Sequence, residues 1–223
     1  MRIKLRTFFW KLSDYVRSQE QSPISVVASS DGNLYEIREN DFMRMVVRKS
    51  DIHELELVKE GVFLKTPKIP GSYLSTIIAF FRHWSKARVE AAVHIYWNRN
   101  RNDYELVCPE QVVSTFQVQA FIEPILNDEK ELIVAIHSHH EMEAVFSSGD
   151  NSNDRGFKVY GVIGRLHEVK TDIRFRARYN NSEIYLNASD LFDFAGVMTT
   201  NHFPEEWLSR VRIESHIRTQ KYL

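Results

Sequence analysis

The chain has 223 residues, of which 43% are hydrophobic and 26% are charged, and its formal net charge is -1. This composition excludes an intrinsically disordered protein and gives no global electrostatic reason for binding nucleic acid or an anionic membrane. The single cysteine, Cys108, excludes an internal disulfide and a cysteine-rich structural zinc site, and we expect a cytoplasmic protein.

Residues 1–70 are expected to form a separate N-terminal extension with a helix followed by a β-rich unit. Residues 3–16 interleave apolar and basic side chains without the continuous apolar run of a signal peptide, so we predict a basic amphipathic helix that docks on protein rather than on a membrane surface. No apolar run is long enough for a membrane span. Alternating stretches then predict strands at 34–38, 43–48 and 62–66, and two prolines and a glycine within residues 67–71 mark the boundary.

Residues 71–190 are expected to form an α/β (α+β) domain whose elements follow the order helix, strands, helix, strand. A helix is predicted to begin with Ser72 as its N-cap and to end near Lys86, because apolar residues recur at helical spacing between them. A second, short helix is expected after Ser147. The predicted strands are residues 89–97, 104–107, 111–117, 132–136 and 158–163, the first two forming a hairpin.

The last part of the chain is less regular. Arg174, Arg176 and Arg178 alternate with apolar residues, which predicts a strand with one arginine face. We expect that face to be solvated and paired with nearby Asp and Glu, with an acidic binding partner as the alternative. Residues 191–223 are expected to form a C-terminal helical tail, with a helix whose first turn contains Pro204.

The strongest signal for chemistry is His137-Ser138-His139, followed after seven residues by Ser147-x-x-Asp150. Extending the buried strand 132–136 by three residues points both histidines to the same face. Catalytic zinc typically takes three His, Asp or Glu ligands and leaves one position open. We therefore predict a Zn²⁺ site made by His137, His139 and Asp150. The alternative is that the two histidines are ordinary hydrogen-bonded residues with no metal.

From about residue 72 to residue 185, the chain resembles the JAMM (MPN-plus, JAB) family of zinc metalloproteases. The signature of that family is an upstream glutamate, then His-x-His, seven residues and Ser-x-x-Asp. The resemblance implies a cytidine-deaminase-like mixed sheet and the zinc ligands named above. It also implies that Ser147 supports the oxyanion and that Glu90, at the first central strand after the first long helix, is the general base.

Several details qualify these roles. Glu36, Glu105 and Glu110 are the rival positions for the base, and Ser147 could instead cap the helix that carries Asp150. His140 stands where many relatives have proline. Together with the rest of residues 137–150, it is more similar to prokaryotic JAB proteins, some of which carry an extra N-terminal domain.

The resemblance implies a zinc-dependent peptidase or isopeptidase that cuts at the C-terminus of a ubiquitin-like protein, with activating- or conjugating-enzyme-like proteins as further partners. The substrate could be gripped by residues 116–130, by residues after 179 or by the N-terminal unit. A catalytically silent MPN-type scaffold is the main alternative function. A nucleobase deaminase is excluded because its Pro-Cys-x-x-Cys element is missing, and no family context supports Cys108 as a nucleophile.

Overall fold

The computed structural model describes residues 6–18, 22–53, 55–122 and 129–214. The chain forms two compact units, Met1–Glu60 and Gly61–Leu223. Within the described ranges, no helix combines the length and the apolar character needed to cross a membrane.

The first unit is a four-stranded sheet with one short helix. Its elements are β1 (Arg6–Phe9), α1 (Leu12–Arg17), β2 (Ile24–Ala28), β3 (Leu34–Glu39) and β4 (Arg44–Lys49). The strand order is β1-β2-β3-β4, with β1 parallel to β2 and the other pairs antiparallel. Its small core consists of Tyr15, Val27 and Ile37, with the ring of Phe9 packed edge-on against Tyr15.

Two predictions for the N-terminal extension, residues 1–70, were wrong. Arg6–Phe9 is a strand rather than part of a helix, because the β-favouring Thr7 and two phenylalanines pair with the free edge of β2. Helix α1 covers only the later part of the predicted segment, and residues 3–5 lie outside the described residues. Residues 62–66 form no strand, because Gly61 and Pro67 interrupt the backbone on either side and ladder pairing is absent there.

The second unit contains three helices and nine strands in its described part. The helices are α2 (Gly71–Ser85), α3 (Ser148–Asn153) and α4 (Ala188–Leu191), and the strands are β5 (Ala92–Asn98), β6 (Asp103–Val107), β7 (Gln111–Val113), β8 (Val118–Ala120), β9 (Lys130–His139), β10 (Lys158–Gly164), β11 (Asp172–Tyr179), β12 (Ser182–Leu186) and β13 (Val211–Ile213). A six-stranded sheet has the order β12-β11-β10-β9-β5-β6, and β9 and β10 are its parallel pair. A three-stranded sheet has the order β13-β7-β8. The α+β prediction is confirmed.

One face of the large sheet is buried against α2. Ile77 and Phe80 of the helix belong to the same buried cluster as Val93, Ile136 and Phe175 of the sheet. Side chains alternate along a strand, so the residues that flank Ile136 point to the opposite face. That alternation leaves His137 free to face a cleft while β9 remains anchored in the core.

The limits of several elements differ from their predicted positions. Helix α2 begins at Gly71 after Pro70, so Ser72 is not its cap, and a Cβ on Gly71 would collide with the carbonyl oxygen of Asp193. Strand β5 begins at Ala92 rather than at residue 89. Residues 111–117 do not form one strand, because the chain reverses between β7 and β8 through a hydrogen bond from Ser114 N to Gln117 O.

The predicted C-terminal helix was wrong over its described part. After Pro204 the chain forms a 3-10 helix, Glu205–Arg210, and then continues as β13. The β-branched residues of β13 pair in parallel with β7, and Trp207 packs edge-on against Phe80. Pairing and core contact therefore replace a longer helix. Residues 215–223 lie outside the described residues.

The prediction of a solvated arginine face on β11 was also wrong for its central residue. Strand β11 lies between β10 and β12 and is not an edge. Arg174 is exposed, but Arg176 is only 1% exposed and pairs with Asp154 and Glu183. Those two carboxylates compensate a charge that would otherwise be costly to bury.

Gly164 should be intolerant of a side chain, because an added Cβ would collide with the carbonyl oxygen of Met142. We expect Gly164→Ala to lower the free energy of unfolding by about 1–3 kcal/mol, which is typical of overpacking. Urea denaturation measures the change. Gly196→Ala is the control, since its new Cβ would meet no atom closer than 3.4 Å. Equal effects of the two substitutions would contradict the prediction.

Candidate metal centre

The two histidines of the motif lie at the end of β9, facing the same side. His137 pairs with Ala92 of β5 and Val162 of β10, and His139 pairs with Gly164. Their ring centroids are 5.1 Å apart. The site therefore lies where β9 passes from the middle of the sheet into a loop.

Asp150 reaches the histidines from the first turn of α3. Its Oδ1 lies 3.5 Å from His137 Nε2, and its Oδ2 accepts hydrogen bonds from Ser147 N and Ser147 Oγ, both at 2.7 Å. Ser147 Oγ in turn accepts from Asp150 N at 3.1 Å, which completes a capping box. Ser147 therefore caps α3 and orients the carboxylate at the same time.

Glu90 lies just before β5, and hydrogen bonds fix its own backbone N–H and the backbone of the next residue. Glu90 N donates to Ser114 O, and the next residue exchanges two bonds of 2.9 Å with Ser138: Ala91 N donates to Ser138 Oγ, and Ser138 N donates to Ala91 O. This fixation brings Glu90 Oε1 to 3.8 Å from His139 Nε2. The structure thus places the predicted base beside a predicted ligand.

A buried glutamine secures the same segment from the opposite side. Gln111 Oε1 accepts from Ala92 N at 2.8 Å, and Gln111 Nε2 donates to Ala92 O at 2.9 Å. The side chain of Gln111 is 1% exposed, so its amide acts as a substitute for a neighbouring strand. The two residues that follow Glu90 are therefore both fixed by side-chain hydrogen bonds.

Burial dominates the electrostatics of the site. It raises the pKa of Glu90 to about 8, with a smaller contribution from the negative charge of Asp150. Burial also lowers the pKa of His137 to about 4, which keeps the imidazole neutral. In the metal-free protein at neutral pH, Glu90 therefore holds a proton and His137 presents a lone pair.

The loop after β9 sets the orientation of the second histidine. His139 Nδ1 lies 3.1 Å from Glu143 O, a geometry that places the proton on Nδ1 and leaves Nε2 as the lone-pair nitrogen. His140 points elsewhere: its Nδ1 accepts from Glu141 N, and its Nε2 lies 3.0 Å from Thr115 O. His140 thus ties the β7–β8 turn to β9 and is not part of the site.

The donor set fits a divalent metal ion. One ligand atom each from His137, His139 and Asp150 can lie within 4.8 Å of the others. Two neutral imidazoles and a monodentate carboxylate are the ligand type and number that catalytic zinc uses. Among the described residues, the predicted ligands are thus brought together with an acid beside them.

The rival residues are engaged elsewhere. Glu36 belongs to the first unit and pairs with Arg38, Glu105 pairs with Lys130, and Glu110 pairs with Arg212. Cys108 is buried, and burial raises the pKa of its thiol to about 12, so it is not a thiolate at neutral pH.

A cleft of about 690 Å³ opens over the site. Beyond the motif residues, His94, Ala135 and Tyr160 of the large sheet line it, together with Phe116 and Val118 around the start of β8. Phe116 is 76% exposed at the rim, whereas His94 is buried and burial lowers its pKa to about 4. The cleft is large enough for several residues of an extended peptide.

Residues 73–179 match the family model described as prokaryotic homologs of the JAB domain. Over this segment the chain is similar to the JAB domain. The match contains Glu90, His137, His139, Ser147 and Asp150, so the whole candidate site lies within the matched segment. The search of curated proteins found no match.

Sequence reasoning missed the residues that hold the candidate site together, namely Ser138, Gln111 and Arg176. Ser138 could have been noticed from its place between the two histidines, where the alternation of the strand turns it away from the cleft. Gln111 and Arg176 gave no local signal, because each acts on a segment at least 19 residues away in the sequence.

Glu90 should make the stability of the metal-free protein depend on pH. Between about pH 4.5 and pH 8 the unfolded chain loses the Glu90 proton while the folded chain keeps it, so the folded state loses stability as pH rises. Glu90→Gln removes this penalty. The variant should therefore become more stable than the parent with increasing pH, by at most about 1.4 kcal/mol per pH unit.

Chemical denaturation of metal-free protein at pH 5, 6.5 and 8 measures the effect. Glu110→Gln is the control, since that glutamate is half-exposed and outside the site. A constant stability difference between Glu90→Gln and the parent across this range would contradict a raised pKa for Glu90.

Proposed function

We propose that the chain is a zinc-dependent peptidase or isopeptidase that cuts at the C-terminus of a ubiquitin-like protein. The observation that carries the proposal is the convergence of His137, His139 and Asp150, with the buried carboxyl group of Glu90 3.8 Å from His139. A silent scaffold needs neither the ligand set nor a buried acid, and each is costly to place in a protein interior.

Zinc and the residues of the chain have separate roles in the proposed reaction. Zinc supplies Lewis acidity, which polarises a scissile carbonyl and lowers the pKa of water. A bound cation would favour the ionised form of Glu90, and that carboxylate would accept a proton from water and return it to the leaving amine. A carboxyl group whose pKa depends on its surroundings suits both the uptake of the proton and its release. Ser147 Oγ, at the N-terminus of α3, would donate to the oxygen on which negative charge develops, after releasing its hydrogen bond to Asp150 Oδ2.

Strand β8 supports an extended substrate tail. Within the described part of the three-stranded sheet, β8 is one of the two outer strands, and its residues Val118 and Ala120 line the cleft. An extended peptide can add to such an edge through main-chain hydrogen bonds. Of the three regions expected to grip the substrate, residues 116–122 are therefore the one we favour. Activating- or conjugating-enzyme-like proteins remain the further partners that we propose.

Metal content tests the ligand set. We expect about one zinc per chain in protein purified without chelator, and none in the His137→Ala/His139→Ala double variant. Elemental mass spectrometry measures both. A His167→Ala/His202→Ala double variant is the matched control, because those histidines are exposed and outside the site. Zinc-free parent protein, even after incubation with zinc, would instead favour the scaffold function.

Glu90→Gln tests the base. Because Glu90 is not a ligand, the variant should keep its zinc and lose turnover by about 100-fold or more. The assay is release of a fluorophore amide from the C-terminus of a ubiquitin-like protein, with Glu110→Gln as the matched control. Unchanged turnover in zinc-loaded Glu90→Gln would remove Glu90 from the mechanism.

A further inference from the structure

Helix α3 carries Asp150, yet it has no apolar side chain with which to pack. Its six residues are Ser-Gly-Asp-Asn-Ser-Asn, and none of them is buried. Six residues are also too few for a helix to be stable without tertiary contacts. Something other than hydrophobic packing must therefore hold the ligand-bearing helix against the sheet.

Arg176 of β11 makes that connection. Its Nη1 donates to Asn151 Oδ1 at 2.6 Å, and its Nη2 donates to Asp154 Oδ2 at 2.8 Å. Asn151 is the next residue after Asp150, and Asp154 caps the C-terminal end of α3. One guanidinium therefore binds the middle and the end of the helix together.

The same guanidinium also contacts the residue that leads into the helix. Its central carbon lies 3.8 Å from the ring centroid of Phe146, which directly precedes Ser147. On the sheet side, Nη1 donates to Glu183 Oε2 of β12 at 3.0 Å. Arg176 is therefore anchored in the sheet while it contacts both flanks of α3.

The burial of this side chain is expensive. Arg176 is 1% exposed, and its Nε has no hydrogen-bond partner among the described residues. A buried ion pair of this kind is often no more stabilising than apolar residues of similar volume. A planar group that donates to two points of a helix and stacks on a ring nevertheless fixes geometry in a way that a lysine does not.

We propose that Arg176 is a positioning residue for the metal centre, acting through α3 to hold Asp150 and Ser147 in register with His137. The part of this proposal that concerns metal affinity rests on the proposed function. Outer residues that orient ligands typically change metal affinity by about 10-fold to 100-fold when removed.

Arg176→Gln tests this role, with Arg174→Gln as the matched control. The control makes the same substitution two residues earlier on the same strand, at an exposed position. In metal-free protein, we expect amide hydrogen exchange across residues 147–154 to accelerate at least tenfold in Arg176→Gln and to stay at the parent rate in Arg174→Gln. Exchange in β9 should not change in either variant.

Zinc affinity and cobalt spectroscopy then report on the site itself. Competition with a chelator should show zinc binding about 10-fold to 100-fold weaker in Arg176→Gln, and the visible absorption of the Co²⁺-loaded variant should shift as the carboxylate is displaced. Faster exchange in α3 with parent-like zinc affinity and a parent-like cobalt spectrum would overturn the positioning role.

Asn151→Ala keeps the test decisive if Arg176→Gln does not fold. That variant removes an exposed acceptor on α3 and leaves Arg176 paired with Asp154 and Glu183. It should weaken zinc binding several-fold and accelerate exchange in α3, and parent values for both would overturn the proposal. If the parent itself takes up no zinc, the proposed function fails, while exchange in α3 still decides whether Arg176 anchors the helix.

Discussion

The two hydrogen bonds between Ser138 and Ala91 are the interaction on which the site depends. Ser138 lies between the two histidines, on the side of β9 away from the cleft, and is fully buried. Its hydroxyl accepts a hydrogen bond from the backbone N–H of Ala91, just before β5 begins. This bond also restrains Glu90, the residue before Ala91. Without that hydroxyl, a buried N–H would be left unpaired at a cost of about 1–3 kcal/mol. One residue thus fixes Glu90 relative to His137 and His139.

Different kinds of interaction hold the two halves of the site in place. His137 and His139 lie on a strand whose alternate residues, including Ile136, are buried against α2, so hydrophobic packing fixes them. Asp150 lies on a helix with no buried residue, and its position depends on charged and polar contacts with Arg176. Apolar packing is non-directional, whereas a guanidinium fork is directional, so the more weakly packed half has the more specific attachment.

The sequence correctly predicted features that depend on a single helix or strand. The period of β9 placed His137 and His139 on one face, and the hydrophobic spacing after Pro70 located α2 to within two residues. The sequence did not predict features that depend on residues far away in the chain. Arg176 looks like any solvated arginine in an alternating strand, and only the presence of β12 and α3 on either side of it makes it buried. The segment Arg6–Phe9 became a strand because β2 offered it an edge.

Of the two expected roles of Ser147, the structure shows the helix cap, and the role in chemistry stays a prediction. A capping box requires a hydroxyl at the N-cap and an acceptor three residues later, which is the spacing of Ser147-x-x-Asp150. The box occupies Asp150 Oδ2 and leaves Oδ1 directed at His137. A carboxylate so restrained can offer one oxygen to a metal without losing rotamer freedom on binding. The spacing of the motif is therefore the spacing of a helix cap, and the cap leaves Asp150 Oδ1 free for the metal that we propose.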